Sequence, residues 1–296
     1  MSRYLVTGGS GRLGRSVVSV LADAGHEVVS VDRSPHPDGA ARHIACDLSD
    51  PVATAALFAD VRPDAVVHLA AIAVPFGRPD PELYATNTGL AFSVLEASLA
   101  AGVSALLYAS SPTVIGYGAP HGWEPDYLPL DEEHPLAPWN GYSLSKQAVE
   151  AIAAMAVRAH GDRIRIGSFR PCYVIAPEEW AGAPTQQGHT VLERLDHPEL
   201  SAVALFNYID ARDAGDFVLA WLTHAHEIPN GGVFFVGAPD SLAREPIGDL
   251  VARYRPELAG HVGDVPAVFS SERAQALLGW RASRTWRTEL ALDGAS

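Results

Sequence analysis

Tyr142 and Lys146 stand four residues apart in Tyr142-Ser143-Leu144-Ser145-Lys146, and Lys146 is the only lysine in the chain. On a helix this spacing puts the phenol and the ammonium on one face. A neighbouring cation favours phenolate, so Tyr142 is expected to titrate below the ordinary tyrosine value of about 10. Such a phenol can abstract a carbinol proton as a general base. Ser110-Ser111-Pro112-Thr113 ends another apolar run. A hydroxyl there can hydrogen-bond a substrate oxygen and fix it beside Tyr142.

A second constellation lies at the start. Gly8-Gly9-Ser10-Gly11-Arg12-Leu13-Gly14 follows the apolar run Arg3–Thr7. Glycines spaced as GxxGxxG let backbone amides and a helix N-terminus approach a pyrophosphate. An ordinary glycine-rich turn would have the same spacing, but Asp32 follows Gly14 by 18 residues, at the end of the next apolar run. A carboxylate there accepts from the adenosine ribose hydroxyls, so the two features together indicate dinucleotide binding. Asp32 favours NAD, because it repels a 2′-phosphate; Arg12 and Arg33 keep NADP open.

These groups need a parallel sheet to meet. Arg3–Thr7, Glu27–Val31, His43–Cys46, Ala65–Leu69, Ala105–Ala109 and Arg163–Phe169 read as strands. Leu13–Ala24, Pro51–Phe58, Pro81–Ala101 and Tyr142–Ala159 read as helices, with Gly25 and Gly102 at two C-terminal stops. Such alternation implies right-handed crossovers, an α/β fold and a Rossmann-type doubly wound parallel sheet. Later the pattern loosens. Pro177–Gly188 and Ala238–Pro246 read as loops, and Ala211–His224 and Ser270–Leu278 as helices. The expected organisation is a dinucleotide-binding domain over 1–170, rejoined by 203–236. The remainder of 171–296 forms a small, discontinuous C-terminal substrate-binding domain.

Composition narrows the function classes. With 21 basic and 35 acidic residues the net charge is −14, which argues against a nucleic-acid or anionic-membrane partner. The apolar stretch Ala65–Pro75 is far short of a membrane span. Met1–Gly8 enters a strand-like run at once, so no signal peptide and a cytoplasmic location are expected. Cys46 and Cys172 are isolated and the histidines lack ligand spacing, so no metal site is expected. Asp131-Glu132-Glu133 reads as a turn cap or a solvated cluster, and His134 as a polar-loop residue. His189 and Arg194 are placed by position near a substrate pocket. Trp123 and Trp139 flank a proline-rich insert, Ala119–Pro138, that either covers the site or packs on the surface.

In this order and spacing the motifs resemble the extended short-chain dehydrogenases/reductases of the NAD-dependent epimerase/dehydratase superfamily, over nearly the whole chain. Thr7–Gly14 resembles TGxxGxxG, Asp47-Leu48 the adenine-side acidic pair, and His68-Leu69-Ala70-Ala71 the HLAA strand end. Ser110–Gly116 is similar to SSxxVYG, Tyr142 and Lys146 to YxxxK, Arg170-Pro171 to the RP turn, and Leu277-Leu278-Gly279-Trp280 to the closing LGW. The resemblance implies Ser111, Tyr142 and Lys146 as catalytic residues. For the cofactor it implies Gly8, Ser10, Gly11, Arg12, Leu13, Gly14, Asp32, Arg33, Asp47, Leu48, Leu69, Ala70, Ala71, Asn87 and Pro171, joined by Tyr142 and Lys146. For the substrate it implies Ala73, Ser111, Thr113, Tyr142 and Tyr173. It also implies a homodimer on the helices at 81–101 and 142–159.

Two positions depart from the family's nucleotide-sugar members. Phe206 stands where they carry an arginine before the strand expected at Asn207–Ala211, and Tyr173 where they carry an asparagine. Both family residues hold the substrate diphosphate. Ser111–Tyr117 and Arg165–Ser168 are similar instead to uronate dehydrogenases. The resulting expectation is an NAD-dependent oxidoreductase transferring hydride between a sugar-like alcohol and nicotinamide. The alternative is a nucleotide-diphosphate-sugar epimerase that recycles its NAD internally.

Overall fold

A computed structural model of the chain describes residues 1–34, 41–75, 77–262 and 265–291. Its first half alternates strand and helix: β1 (Arg3–Thr7), α1 (Arg12–Asp23), β2 (Glu27–Asp32), β3 (Arg42–Ala45), α2 (Pro51–Val61), β4 (Ala65–His68), α3 (Asp80–Ala101), β5 (Ala105–Ala109), α4 (Gly141–His160) and β6 (Arg165–Pro171). The second half contains β7 (Val174–Ile175), α5 (Pro177–Trp180), α6 (Val191–Asp196), α7 (Glu199–Ala202), β8 (Ile209–Asp210), α8 (Ala211–His224), β9 (Val233–Val236), α9 (Ile247–Tyr254), α10 (Glu272–Leu278) and α11 (Trp286–Glu289).

Seven strands form one parallel sheet in the order β3-β2-β1-β4-β5-β6-β9, and β7 pairs with β8 beside it. The strands are near-continuous apolar runs because helices cover both faces. In β1, Tyr4 and Val6 join the core beneath α1 and α8, whereas Leu5 joins the core beneath α2, α3 and α4. The chain order reverses between β1 and β4, so their carboxyl ends open a crevice where open α/β sheets bind ligands.

Departures from the sequence expectation have local causes. The sixth strand begins at Arg165 rather than Arg163, because the Arg163 amide donates to His160 O in a turn that closes α4. The strand expected at Asn207–Ala211 shrinks to Ile209–Asp210; Leu205 and Phe206 adopt left-handed backbone ahead of it. Pro177–Gly188 is not all loop: Glu179 accepts from the Ala176 amide and starts the short α5. Glu132 is neither a cap nor solvated. Its carboxylate is buried, accepts from the Phe235 amide at 2.6 Å and faces Arg273, so it ties the proline-rich insert to β9. Asp131 does cap the turn, accepting from the Glu133 amide. His134 is also buried, and its Nε2 accepts from the Asp126 amide.

Candidate active site

A cavity of about 860 Å³ opens at the carboxyl ends of β1, β2, β4 and β5. One end is a glycine cradle. Gly8 has φ +70, and a Cβ there would stand 2.7 Å from the Ala70 amide nitrogen; a Cβ on Gly14 would stand 2.1 Å from Gly8 O. Glycine is therefore demanded by backbone that crowds backbone. Gly11 caps α1 without any side-chain bond to the first-turn amides, which are left facing the cavity as an anion-binding helix end. Buried Ser10 Oγ has no hydrogen-bond partner among the described residues. The loop amides of Gly8, Gly9, Ser10 and Gly11 are bonded within the protein, so the uncapped first turn of α1, crowded by side-chain-free backbone, is what fits a pyrophosphate.

Asp32 ends β2 at the cavity wall. Its Oδ1 accepts from the Arg33 amide at 2.7 Å and its Oδ2 from the Ser10 amide at 3.3 Å. Arg12 is drawn away from this corner, since its Nη2 donates to Val174 O and pairs with buried Glu179. Among the described residues at this corner Arg33 alone is left to meet a 2′-phosphate, while the Asp32 carboxylate repels one, so the corner suits the ribose diol of NAD. Asp47 lies opposite, its carboxylate lowered from its ordinary range by donation from the Ser49 hydroxyl and amide.

The other end holds the three chemical side chains. α4 starts at a capping box in which Asn140 Oδ1 accepts from the Ser143 amide at 2.8 Å and Ser143 Oγ accepts from the Asn140 amide. This cap sets Tyr142 in the first turn. The Ser111 hydroxyl hydrogen-bonds the Tyr142 phenol and also lies 2.9 Å from Thr113 Oγ1. Lys146 Nζ donates to Ala109 O at 2.9 Å and sits 5.9 Å from the Tyr142 ring centroid.

The expected acidification of Tyr142 is not what the protein alone produces. Burial raises the phenol's pKa, and the Ser111 hydrogen bond opposes this only in part. The physical reason is the direction of Lys146: its ammonium serves the last carbonyl of β5 and lies beside the ring rather than at the hydroxyl. Burial in turn pulls Lys146 down to about 8.

Most of the expected site residues line this cavity. Gly8, Gly11, Arg12, Leu13, Gly14, Asp32, Arg33, Asp47 and Leu48 form the adenine and pyrophosphate end; Leu69, Ala70, Ala71, Lys146 and Pro171 lie between; Ala73, Ser111, Thr113, Tyr142 and Tyr173 form the far end. Ser10 and Asn87 do not line it. Asn87 is buried behind the wall. Its Oδ1 accepts from the Ile72 amide at 2.8 Å and its Nδ2 donates to Ser145 Oγ at 3.0 Å. It positions the loop after β4 against α4. Arg194 and His189 also stand off the wall, Arg194 fully buried behind Tyr173.

The model of the NAD dependent epimerase/dehydratase family matches residues 4–237. The chain belongs to this family. A UDP-glucose 4-epimerase of Azospirillum brasilense is 34% identical over 168 residues, 54% of this chain and 46% of that protein, so the match spans about half its length. A UDP-glucose 4-epimerase of Corynebacterium glutamicum is 28% identical across 96% of this chain and 92% of that protein. A solved UDP-glucose 4-epimerase from Brucella ovis, in complex with NAD, shares the fold with a TM-score of 0.74 at 20% identity, covering 98% and 96% of the two chains.

Against the family pattern, Phe206 is wholly buried in the core beneath α8 and offers no charge to the cavity. Trp139, which the sequence placed beside an insert that either covers the site or packs on the surface, lies in the wall, and so do residues the sequence did not assign to the site: Tyr117, Asn140, Gln187 and Asn207. Asn140 carried a signal, since asparagine just before a helix is a preferred N-cap. The others reach the wall through loops that have no periodicity to read. Trp139, at the end of the insert, donates from Nε1 to Tyr117 O, while Trp123 donates to Ile115 O.

Proposed function

We propose that this protein is an NAD-dependent epimerase acting on a nucleotide-linked sugar. It would oxidise a ring carbinol and reduce the ketone again from its opposite face. The observation that carries the reading is the meeting of Ser111, Tyr142 and Lys146 in the cavity whose other end is the glycine cradle with Asp32. The full-length similarity to UDP-glucose 4-epimerases supports it.

When bound, NAD would take up the hydride from the carbinol carbon and give it back. Everything else falls to the chain. The first-turn amides of α1 and Asp32 would hold and orient the dinucleotide. Ser111 donates to the reacting oxygen and holds it against the Tyr142 phenol. Tyr142 takes the hydroxyl proton in oxidation and returns it in reduction. Lys146 would help hold the cofactor, and its charge would oppose the burial that keeps Tyr142 protonated. We assign the substrate wall to segments after residue 171 together with Ala73 and Thr113, and infer a cytoplasmic homodimer. No helix among the described residues is long and apolar enough to cross a membrane.

The test is acid-released NAD per chain together with interconversion of UDP-glucose and UDP-galactose followed by NMR. Near one NAD per chain and epimerisation without net NADH are expected. An empty protein that reduces added NAD with a free sugar would reject the epimerase. It would support the second reading, a sugar dehydrogenase, which the uncharged Phe206 and Tyr173 at the diphosphate positions favour.

A further inference from the structure

Arg194 on α6 is 1% exposed, yet among the described residues no carboxylate pairs with it. Its Nε donates to Thr185 Oγ1 at 3.3 Å, Nη1 to Leu200 O at 2.9 Å and Nη2 to Gln187 Oε1, and the Tyr173 ring lies beneath it at 4.7 Å. Glu179, the carboxylate whose field reaches it, is already taken by Arg12 and the Ala176 amide. A guanidinium has five N–H donors, and this buried one meets only neutral acceptors, so its charge is left without a counter-ion. Two of its neighbours, Tyr173 and Gln187, form part of the cavity wall. Gln187 is exposed, in a loop between Gly182 and Gly188, both at positive φ. Its side chain can leave without disturbing packed core, and its amide oxygen occupies the place an anionic oxygen would take.

We propose that Arg194 is the anion-recognising group of the substrate wall. The substrate would be a sugar bearing a diphosphate or a carboxylate that displaces the Gln187 side chain. The cation would thus have moved from the Phe206 position to α6, behind Tyr173. This rests on the proposed sugar chemistry of the cavity and adds its charge requirement.

Calorimetric titration of the NAD-loaded protein with UDP, glucuronate and glucose tests it. UDP or glucuronate is expected to bind the wild type, and Arg194→Met to weaken that anion at least tenfold while leaving glucose and NAD unchanged. Arg194→Lys should restore part of the affinity. If Arg194→Met does not fold, Gln187→Glu serves: a tethered carboxylate should raise thermal stability and lower anion affinity together. Preference for UDP identifies a sugar nucleotide, and preference for glucuronate a free sugar acid. Binding of neither anion, or equal affinity in wild type and variants, overturns the proposal. Turnover that depends on Tyr142 but is indifferent to Arg194 would sink the anion site and leave the hydride chemistry standing; turnover indifferent to both residues would sink the enzyme reading as well.

Discussion

At the scale of single residues, the site combines groups whose burial works against their charged forms. Tyr142→Phe removes the proton carrier but not the ring, so NAD binding should persist in a fluorescence titration. Turnover should fall by about 10²–10⁴-fold, the usual worth of general acid–base assistance. Near-normal turnover would reject the role. Asp32→Ala should weaken NAD more than NADP, because only the former loses a ribose acceptor; equal loss would reject the cofactor preference. His68 makes a prediction of opposite kind. It is buried, bonded through Nδ1 to Thr7 Oγ1 at 2.8 Å, and burial lowers its pKa to about 3. Below its unfolded value of 6.5, the unfolded chain binds a proton that the folded chain refuses, so stability is lost as pH falls from there toward 3. The loss attributable to His68 should reach about 2 kcal/mol near pH 5. Urea unfolding of wild type and His68→Gln across that range should converge on a smaller pH dependence in the variant; parallel curves would sink the assignment. The Tyr142/Lys146 pair and the glycine cradle were legible in the sequence because their function requires fixed spacing along one element. The burial that opposes Tyr142 ionisation was not, since it is contributed by segments distant in the chain.

At the scale of elements, α4 carries the chemistry and is anchored at two points. Its start depends on the Asn140 cap. Asn140→Ala should cost about 1 kcal/mol in denaturant unfolding and lower kcat more than it raises KM, because the first turn that presents Tyr142 frays. A stability loss with unchanged kcat would limit the cap to folding. One turn beyond Lys146, Glu150 meets Arg170 of β6 with both oxygens at 2.8 Å and accepts from Ser110 Oγ at 2.6 Å. The pair is buried on both sides and fixes α4 to the strand ends bearing Ser111 and Pro171. Glu150→Ala leaves Arg170 uncompensated and should cost about 3–5 kcal/mol. The strands and long helices of the first half were legible from alternating apolar runs and glycine stops. Short elements such as β7, β8 and α5 were not, because two to four residues carry no period. Glu132 misled for the same reason: an acidic triplet reads as solvated, but its fate is decided by an amide of β9 about a hundred positions away.

At the scale of the whole molecule, the two long helices that frame the site leave an apolar face outward. On α3 Tyr84 and Phe92 are 39% and 45% exposed, and on α4 Leu144 and Met155 are 45% and 36% exposed. The spacing Tyr84, Thr88, Phe92 and Leu144, Ala148, Ala151, Met155 aligns each set along one helix side. α3 and α4 pack on each other, so a partner laid across the helix pair would reach both sets. A monomer rarely leaves such a stripe to water, and two copies related by a twofold axis would cover it as a four-helix layer. Sedimentation of the wild type should give a dimer. Phe92→Glu combined with Met155→Glu, which sets four carboxylates into the shared layer, should give monomers that keep NAD. Because α3 and α4 also hold Asn87, Asn140, Tyr142 and Lys146, the monomer should lose kcat as the helix pair loosens. A wild-type monomer, or a double variant that still dimerises, would remove this face as the interface.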